Sequence, residues 1–389
     1  MRVAYICADP GIPVFGQKGC SIHVQEVIRG LQGQGCEVDL FATRLGGDLP
    51  ADLVNVGVCK LPAIPKQEKA LREQAALAIN PDLYRDLERF GCFDCIYERY
   101  SLWSYSAMEF AQAMGIPGLL EVNSPLILEQ AKHRGLIDVH GAEDVANRVF
   151  SAATVILTVS EEVKSYLMNY VDESKVYVIP NGVNPQRFSV VDNDNLSDSF
   201  TVGFVGSLKP WHGLPILTEA FAYLHQRVPN ARLLIVGDGP ERENLEAELA
   251  AKKLDAYTQF TGAVHPDTVP QFLTRMDVAV APYPAQSDFY FSPLKVYEYM
   301  AAGLPVVVSN IGQLADLIDS GVNGILCPPG DAIALANSLE QLWRSPTLRH
   351  SLGQAARNTV LTHHTWDAIA QKILHLAGLV GGEAINVKA

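Results

Sequence analysis

Short apolar runs alternate along the chain with longer stretches whose apolar positions recur every three or four residues. That alternation predicts parallel strands joined by crossover helices, because strands buried on both faces read as continuous apolar runs. Residues 2–7 form the first run. Beyond a glycine-bearing loop, Val24, Val27, Ile28 and Leu31 fall on one helical face at i, i+3, i+4 and i+7. Gly33 and Gly35 close that helix, and residues 37–42 read as the next strand. Further strands are expected at 94–98, 118–122, 154–159 and 176–179, and residues 64–90 read as helical.

Residues 189–199 are polar, lack aromatic side chains and carry no usable period, so they read as a linker. The alternation then restarts with a strand at 201–205 and a helix at 214–227. Strands at 232–236, 259–262, 278–281, 305–309 and 324–327 follow, and the chain is helical from Asp331 onward. The pattern implies two α/β domains, 1–188 and 189–364. Each should bind ligands at the carboxyl ends of its strands, so that two such edges face each other across a cleft.

Composition narrows the function. A chain of 389 residues with 48% hydrophobic and 19% charged residues can bury two sizeable cores. A net charge of -13 without a Lys/Arg cluster argues against nucleic acid as partner. It also gives contact with a membrane surface little support. Seven cysteines, scattered through apolar runs, read as buried reduced thiols. Cys92 and Cys95 form a CxxC without a second pair at zinc spacing. An N-terminal run too short for a signal peptide and the lack of a membrane-length apolar stretch lead to the expectation of a cytoplasmic protein.

The most informative segment runs from Phe289 to Val308. Ser292 followed by Pro293 reads as a helix N-cap with proline at the first helical position. The free amides of Leu294 and Lys295 would then form an anion site at the helix start. Glu298 lies four residues after Leu294 on the same face, where its carboxylate can reach a ligand seated there. Phosphate on the amides and sugar hydroxyls on a carboxylate would hold a nucleotide. The same residues also fit a capped amphipathic helix with a solvated glutamate.

Together with Pro180-Asn-Gly-Val-Asn184 and Val236-Gly-Asp-Gly-Pro240, this segment resembles the retaining GT-B glycosyltransferases of family 4, also called group 1. The resemblance covers essentially the whole chain and implies two Rossmann-like domains, the second binding a nucleotide-sugar donor. It also implies that a helix after Thr365 (residues 365–389) crosses back onto the first domain. Glu298 matches the second Glu of the family's E-x7-E motif, which hydrogen-bonds the ribose. The first Glu would fall at Tyr290 and is missing. In the loop Gly206–Gly213, Ser207 and His212 stand where the family places Arg and Lys on the diphosphate. Lys209 and Lys295 are the candidates to replace that charge, because a departing diphosphate builds negative charge; both could instead be exposed lysines. Val264, after a donor-domain strand, lies where the base is expected. In the first domain the resemblance assigns Gly16, Gly19 and Lys18 to the loop over the donor diphosphate, although the same glycines also fit a plain turn. Asn123 stands near the place where many relatives have a His and could orient a hydroxyl. Glu98-Arg99 reads as an ion pair at a strand end.

Asp192-Asn-Asp194 spells a metal-binding D-x-D but sits in the polar linker, so no metal or other cofactor is expected. Val236-Gly-Asp-Gly-Pro240 is not the GxGxxG of a nicotinamide dehydrogenase. His363-His364 lacks a partner at ligand spacing. The expected reaction is retaining transfer of a hexose from a nucleoside diphosphate to a hydroxyl on a lipid, polysaccharide or small metabolite, with Lys209, Asn123 and Glu298 as the catalytic candidates. A sugar-nucleotide 2-epimerase and a catalytically silent sugar-nucleotide-binding protein are the alternatives.

Overall fold

The computed structural model describes residues 1–189, 199–286 and 289–380. The chain divides into two compact units. The first runs from Met1 to Pro180 and takes in the described residues from Trp366 onward. Its strands are β1 (Arg2–Cys7), β2 (Glu37–Ala42), β3 (Gly57–Lys60), β4 (Cys95–Arg99), β5 (Gly118–Val122), β6 (Val155–Thr158) and β7 (Val176–Val178). They form one parallel sheet in the order β3-β2-β1-β4-β5-β6-β7. The helices between them are α1 (Gly19–Gly33), α2 (Lys69–Leu77), α3 (Asn80–Phe90), α4 (Ser106–Met114), α5 (Leu126–His133), α6 (Val139–Ala152) and α7 (Glu161–Leu167).

The second unit, Asn181–Thr365, repeats the scheme. Its strands are β8 (Phe200–Val205), β9 (Ala231–Val236), β10 (Thr258–Phe260), β11 (Val278–Ala281), β12 (Val306–Ser309) and β13 (Ile325–Cys327). All are parallel, in the order β10-β9-β8-β11-β12-β13. Around them lie α8 (Leu214–Arg227), α9 (Arg242–Ala251), α10 (Val269–Leu273), α11 (Leu294–Ala301), α12 (Gln313–Leu317), α13 (Ala332–Arg344) and α14 (Pro346–His363). Helices on both faces explain the apolar runs. All four residues of β11, Val-Ala-Val-Ala, are buried, alternating between a core built with α11 and α14 and one built with α8 and α13. Local chemistry sets the helix starts. Asp331 caps α13 through the Ala334 N–H at 2.8 Å, and Ser345 with Pro346 opens α14.

The chain then returns to the first unit as α15 (Trp366–Leu376), which lies along α1. The Trp366 carbonyl oxygen comes within 2.8 Å of where a Cβ on Gly30 would stand, and the Trp366 ring meets His23 edge-on at 5.2 Å. No helix among the described residues is long and apolar enough to cross a membrane.

The structure corrects the sequence reading in three places. The units part at Pro180–Asn181, not at 188/189. Residues 181–188 belong to the second unit because Val183 bridges to Thr365 and Phe188 is buried in the core around β11 and α11. The expected linker lies mostly outside the described residues, as do Asp192 and Asp194. Strand β3 gave no apolar run because it is an edge strand with alternate residues exposed. The cysteines are all free thiols, but Cys92 is exposed and Cys20 and Cys59 are half-buried, so buried thiols describe only the other four.

Candidate functional site

In each sheet the strand order reverses direction at one point, between β1 and β4 and again between β8 and β11. Such a switch point opens a crevice at the carboxyl ends of the strands, where ligands of open α/β sheets bind. In the second unit the residues singled out in the sequence converge there.

Strand β8 runs into Gly206, whose N–H donates to the Val236 carbonyl at 2.9 Å, and Leu208 N–H donates to the Asp238 carbonyl at 3.0 Å. The loops after β8 and β9 are thereby pinned together. Gly237 passes so close that a Cβ there would lie 2.1 Å from the Gly206 carbonyl oxygen, with φ at +138°, a region that L side chains rarely adopt. On the other side, Tyr299 of α11 accepts a hydrogen bond from Val205 N–H at 2.7 Å, fixing that helix to the end of β8.

Lys295, in the first turn of α11, carries the central feature. Its stem is partly exposed, but its Nζ is enclosed and has no hydrogen-bond partner among the described residues. The ammonium lies 4.3 Å from the Phe204 ring centroid and 5.6 Å from that of Tyr283. A Cβ on Gly206 would stand 3.1 Å from it, so the charge sits directly against the glycine turn. Burial pushes its pKa down to about 7, against an opposing pull from Glu298. The aromatic faces offset part of the lost hydration. An enclosed cation without a hydrogen-bond acceptor remains costly, and an anion at the Gly206 turn would relieve that cost.

The other cation candidates differ. His212 donates from Nδ1 to the Ser207 carbonyl at 2.6 Å. Burial, then the charges of Lys295 and Lys209, push its pKa down to about 3, so its ring is neutral and supplies no charge to a diphosphate. Lys209 stays on the loop with its Nζ 5.7 Å from the Trp211 ring centroid, and Ser207 is exposed. Ser292 is not the helix cap. Pro293 occupies the N-cap position and α11 begins at Leu294. The Ser292 Oγ is taken by the Asn181 N–H at 3.0 Å, and its carbonyl by the Asn181 side-chain amide at 2.6 Å. The start of α11 therefore has neither a side-chain cap nor an acidic residue in its first turn, which leaves its amides suited to an outside anion.

Glu298, one turn further, keeps about a fifth of its side chain exposed and faces Arg187, whose Nη1 lies 3.9 Å from Oε1. Val264 packs against the core around α11 in the loop after β10, where Gly262 bridges to Gly237. Tyr290, at the place of the missing first Glu, lies 4.5 Å from the Phe291 ring. Sequence reasoning missed Arg187. It follows the Pro180–Asn184 motif closely, but nothing local announces its distant partners.

The first unit carries its own cluster at the ends of β4 and β5. Glu121, buried, accepts from Tyr97 OH at 2.8 Å, Arg99 Nη1 at 3.1 Å and Asn123 Nδ2 at 2.5 Å, and it contacts His23. Burial alone would raise its pKa, but His23, Arg99 and Asn123 outweigh it and hold the carboxyl at about 2. The amide nitrogen of Asn123 is thereby engaged within this cluster. Glu98 does not pair with Arg99. Neighbouring strand residues point to opposite faces, and Glu98 is buried on the other side, hydrogen-bonded by Ser104. Gly16 sits in a tight turn whose carbonyl accepts from Gln25 at 3.0 Å, and Gly19 opens α1 after Lys18, which makes no side-chain cap.

Residues 18–187 match the family model for Glycosyltransferase Family 4, and residues 199–345 that for Glycosyl transferases group 1. An uncharacterized glycosyltransferase of Methanocaldococcus jannaschii is 30% identical, the match covering 97% of both chains. A D-inositol 3-phosphate glycosyltransferase of Pseudarthrobacter chlorophenolicus is 25% identical over 87% of this chain and 85% of its own. Among solved structures, a sucrose-phosphate synthase from Thermosynechococcus elongatus superposes with a TM-score of 0.74 at 22% identity, over 97% of this chain and 98% of its own. The Anabaena protein HepE in complex with UDP and glucose gives 0.72 at 20% identity, over 98% of this chain and 100% of its own. Two parallel-sheet units with these relatives place the chain in one family: it is a glycosyltransferase of group 1, family 4, with the GT-B fold of two Rossmann-like domains.

Proposed function

We propose that the enzyme moves a hexose from a nucleoside diphosphate to an acceptor hydroxyl with retention at the anomeric carbon. In this reading the donor diphosphate lies against the Gly206 turn and the amides of Leu294 and Lys295, the ribose hydroxyls meet Glu298, and the base lies along the backbone near Val264. The observation that carries it is the enclosed Lys295 ammonium, which has no hydrogen-bond partner among the described residues. A diphosphate supplies the missing acceptor, and the solved structures of HepE with UDP or UDP-glucose support a nucleotide-sugar ligand.

The reaction breaks the bond from the anomeric carbon to the diphosphate and forms one from that carbon to the acceptor oxygen on the same face. The acceptor proton passes to the departing diphosphate. Lys295 opposes the charge that grows on the leaving group, with Lys209 on the neighbouring loop as a second cation. No step requires a metal ion or other cofactor.

Incubation with UDP-, GDP- and ADP-hexoses tests the reading by resolving the released nucleotide and the anomeric configuration of the product. The expected result is release of nucleoside diphosphate from one donor, accelerated by an acceptor alcohol, with a glycoside of unchanged configuration. Accumulation of an isomeric sugar nucleotide without acceptor, or an inverted product, would contradict it.

A further inference from the structure

Arg187 joins two parts of the proposed donor site that are far apart in sequence. A short helical turn, Pro185–Arg187, is capped by Asn184, whose side chain accepts from Gln186 N–H at 3.1 Å. Phe188, buried in the core around α11, anchors the end of that turn. The Arg187 guanidinium, 5.6 Å from the Phe188 ring centroid, is left about a fifth exposed. From there Nη2 donates to the Pro266 carbonyl at 3.0 Å and lies 3.8 Å from Asp267 Oδ1, while Nη1 lies 3.9 Å from Glu298 Oε1. One planar fork thus spans the loop after β10, which holds Val264, and the carboxylate on α11.

We infer that Arg187 is the positioning residue of this site, holding the Glu298 carboxylate in register with the 262–267 loop so that the site selects nucleotides with an intact ribose. The inference rests on reading Glu298 as the ribose ligand. A guanidinium suits the task because its nitrogens lie in a fixed plane and reach two anchors at once. At 3.9 Å the attraction between Arg187 and Glu298 is electrostatic, and it draws the carboxylate toward the 262–267 loop. Arg187 need not touch the ligand. Its loss should loosen the tie between the carboxylate and the loop, while the Gly206 turn and helix α11, held by the Val236 and Tyr299 hydrogen bonds, keep their grip on phosphate.

Calorimetric titration with UDP, GDP and ADP identifies the tightest nucleotide. That nucleotide, its 2′,3′-dideoxy analogue and inorganic pyrophosphate are then titrated into wild type, Glu298→Ala, Arg187→Ala and the charge-preserving Arg187→Lys. Wild type should prefer the ribonucleotide over its dideoxy analogue by about tenfold or more, as hydrogen bonds to a charged group allow. Glu298→Ala should bring the ratio close to one. Both Arg187 variants should bring it within about threefold of one, with pyrophosphate affinity unchanged, and the Lys variant secures the result should the Ala variant fail to fold. A folded Arg187→Lys protein that keeps the full preference overturns the inference. Should Glu298→Ala also keep it, or wild type bind none of the three nucleotides, the donor-site reading itself falls.

Discussion

At the scale of single residues, Lys295 and Glu121 show two ways of enclosing a charge. Glu121 gathers four neighbours, and its carboxyl is held at about 2, so it stays ionised throughout the working range. Lys295 has no such shell among the described residues, and burial holds it at about 7, well below an ordinary lysine. The neutral amine is therefore favoured in the folded chain, so the cost of the buried ammonium is complete below about pH 7 and fades as pH rises toward the unfolded value near 10.5. Lys295→Met fills the same space without a charge. It should stabilise the ligand-free protein by about 1–4 kcal/mol at pH 7, with the gain shrinking toward pH 10. Urea unfolding of both proteins across that range checks this. Equal stability at pH 7 would mean that the ammonium is not enclosed in solution.

At the scale of elements, the switch point depends on loops that approach too closely for side chains. Gly237→Ala would drive a Cβ into the Gly206 carbonyl in a backbone region that L residues rarely adopt. It should cost about 2–4 kcal/mol of stability and weaken nucleotide binding at least tenfold, because the turn against Lys295 must shift. Thermal unfolding and titration of the variant read both effects, and an unchanged affinity would separate Gly206 from the ligand. The elements of this switch point were legible in the sequence. Strands β8 and β11 are buried on both faces and so leave apolar runs, while Leu214–Arg227 keeps a helical period. Strand β3, half-exposed at the sheet edge, left none. The Ser292 cap was misread because its Oγ is claimed by Asn181, 111 residues away in sequence. Arg187 escaped notice for the same reason, its hydrogen-bonded partner being 79 residues off. Local chemistry reads strands and glycine turns well, whereas hydrogen bonds made across the fold override a local cap.

At the scale of the whole molecule, two parallel sheets with the same reversal of strand order account for the alternation repeated along the chain. The return of α15 to the first unit was expected from family resemblance, and its packing of Trp366 on Gly30 and His23 shows how the contact is made. The parting of the units moved to Pro180–Asn181 because residues 181–188 satisfy their backbone and apolar groups within the second unit. The central claim is that this second unit offers Lys295 to a sugar-nucleotide diphosphate. Calorimetric titration of the donor into wild type and Lys295→Met, at pH 6.5 and 8.5, tests it most directly. The sugar nucleotide has no group that titrates in that interval, so binding must reprotonate the lysine at the higher pH. The account expects wild-type affinity to fall about twentyfold between the two, and Lys295→Met to bind at least tenfold more weakly at pH 6.5 with little pH dependence. Wild-type affinity that is flat across this interval, or a Lys295→Met protein that binds as tightly as wild type, would contradict it.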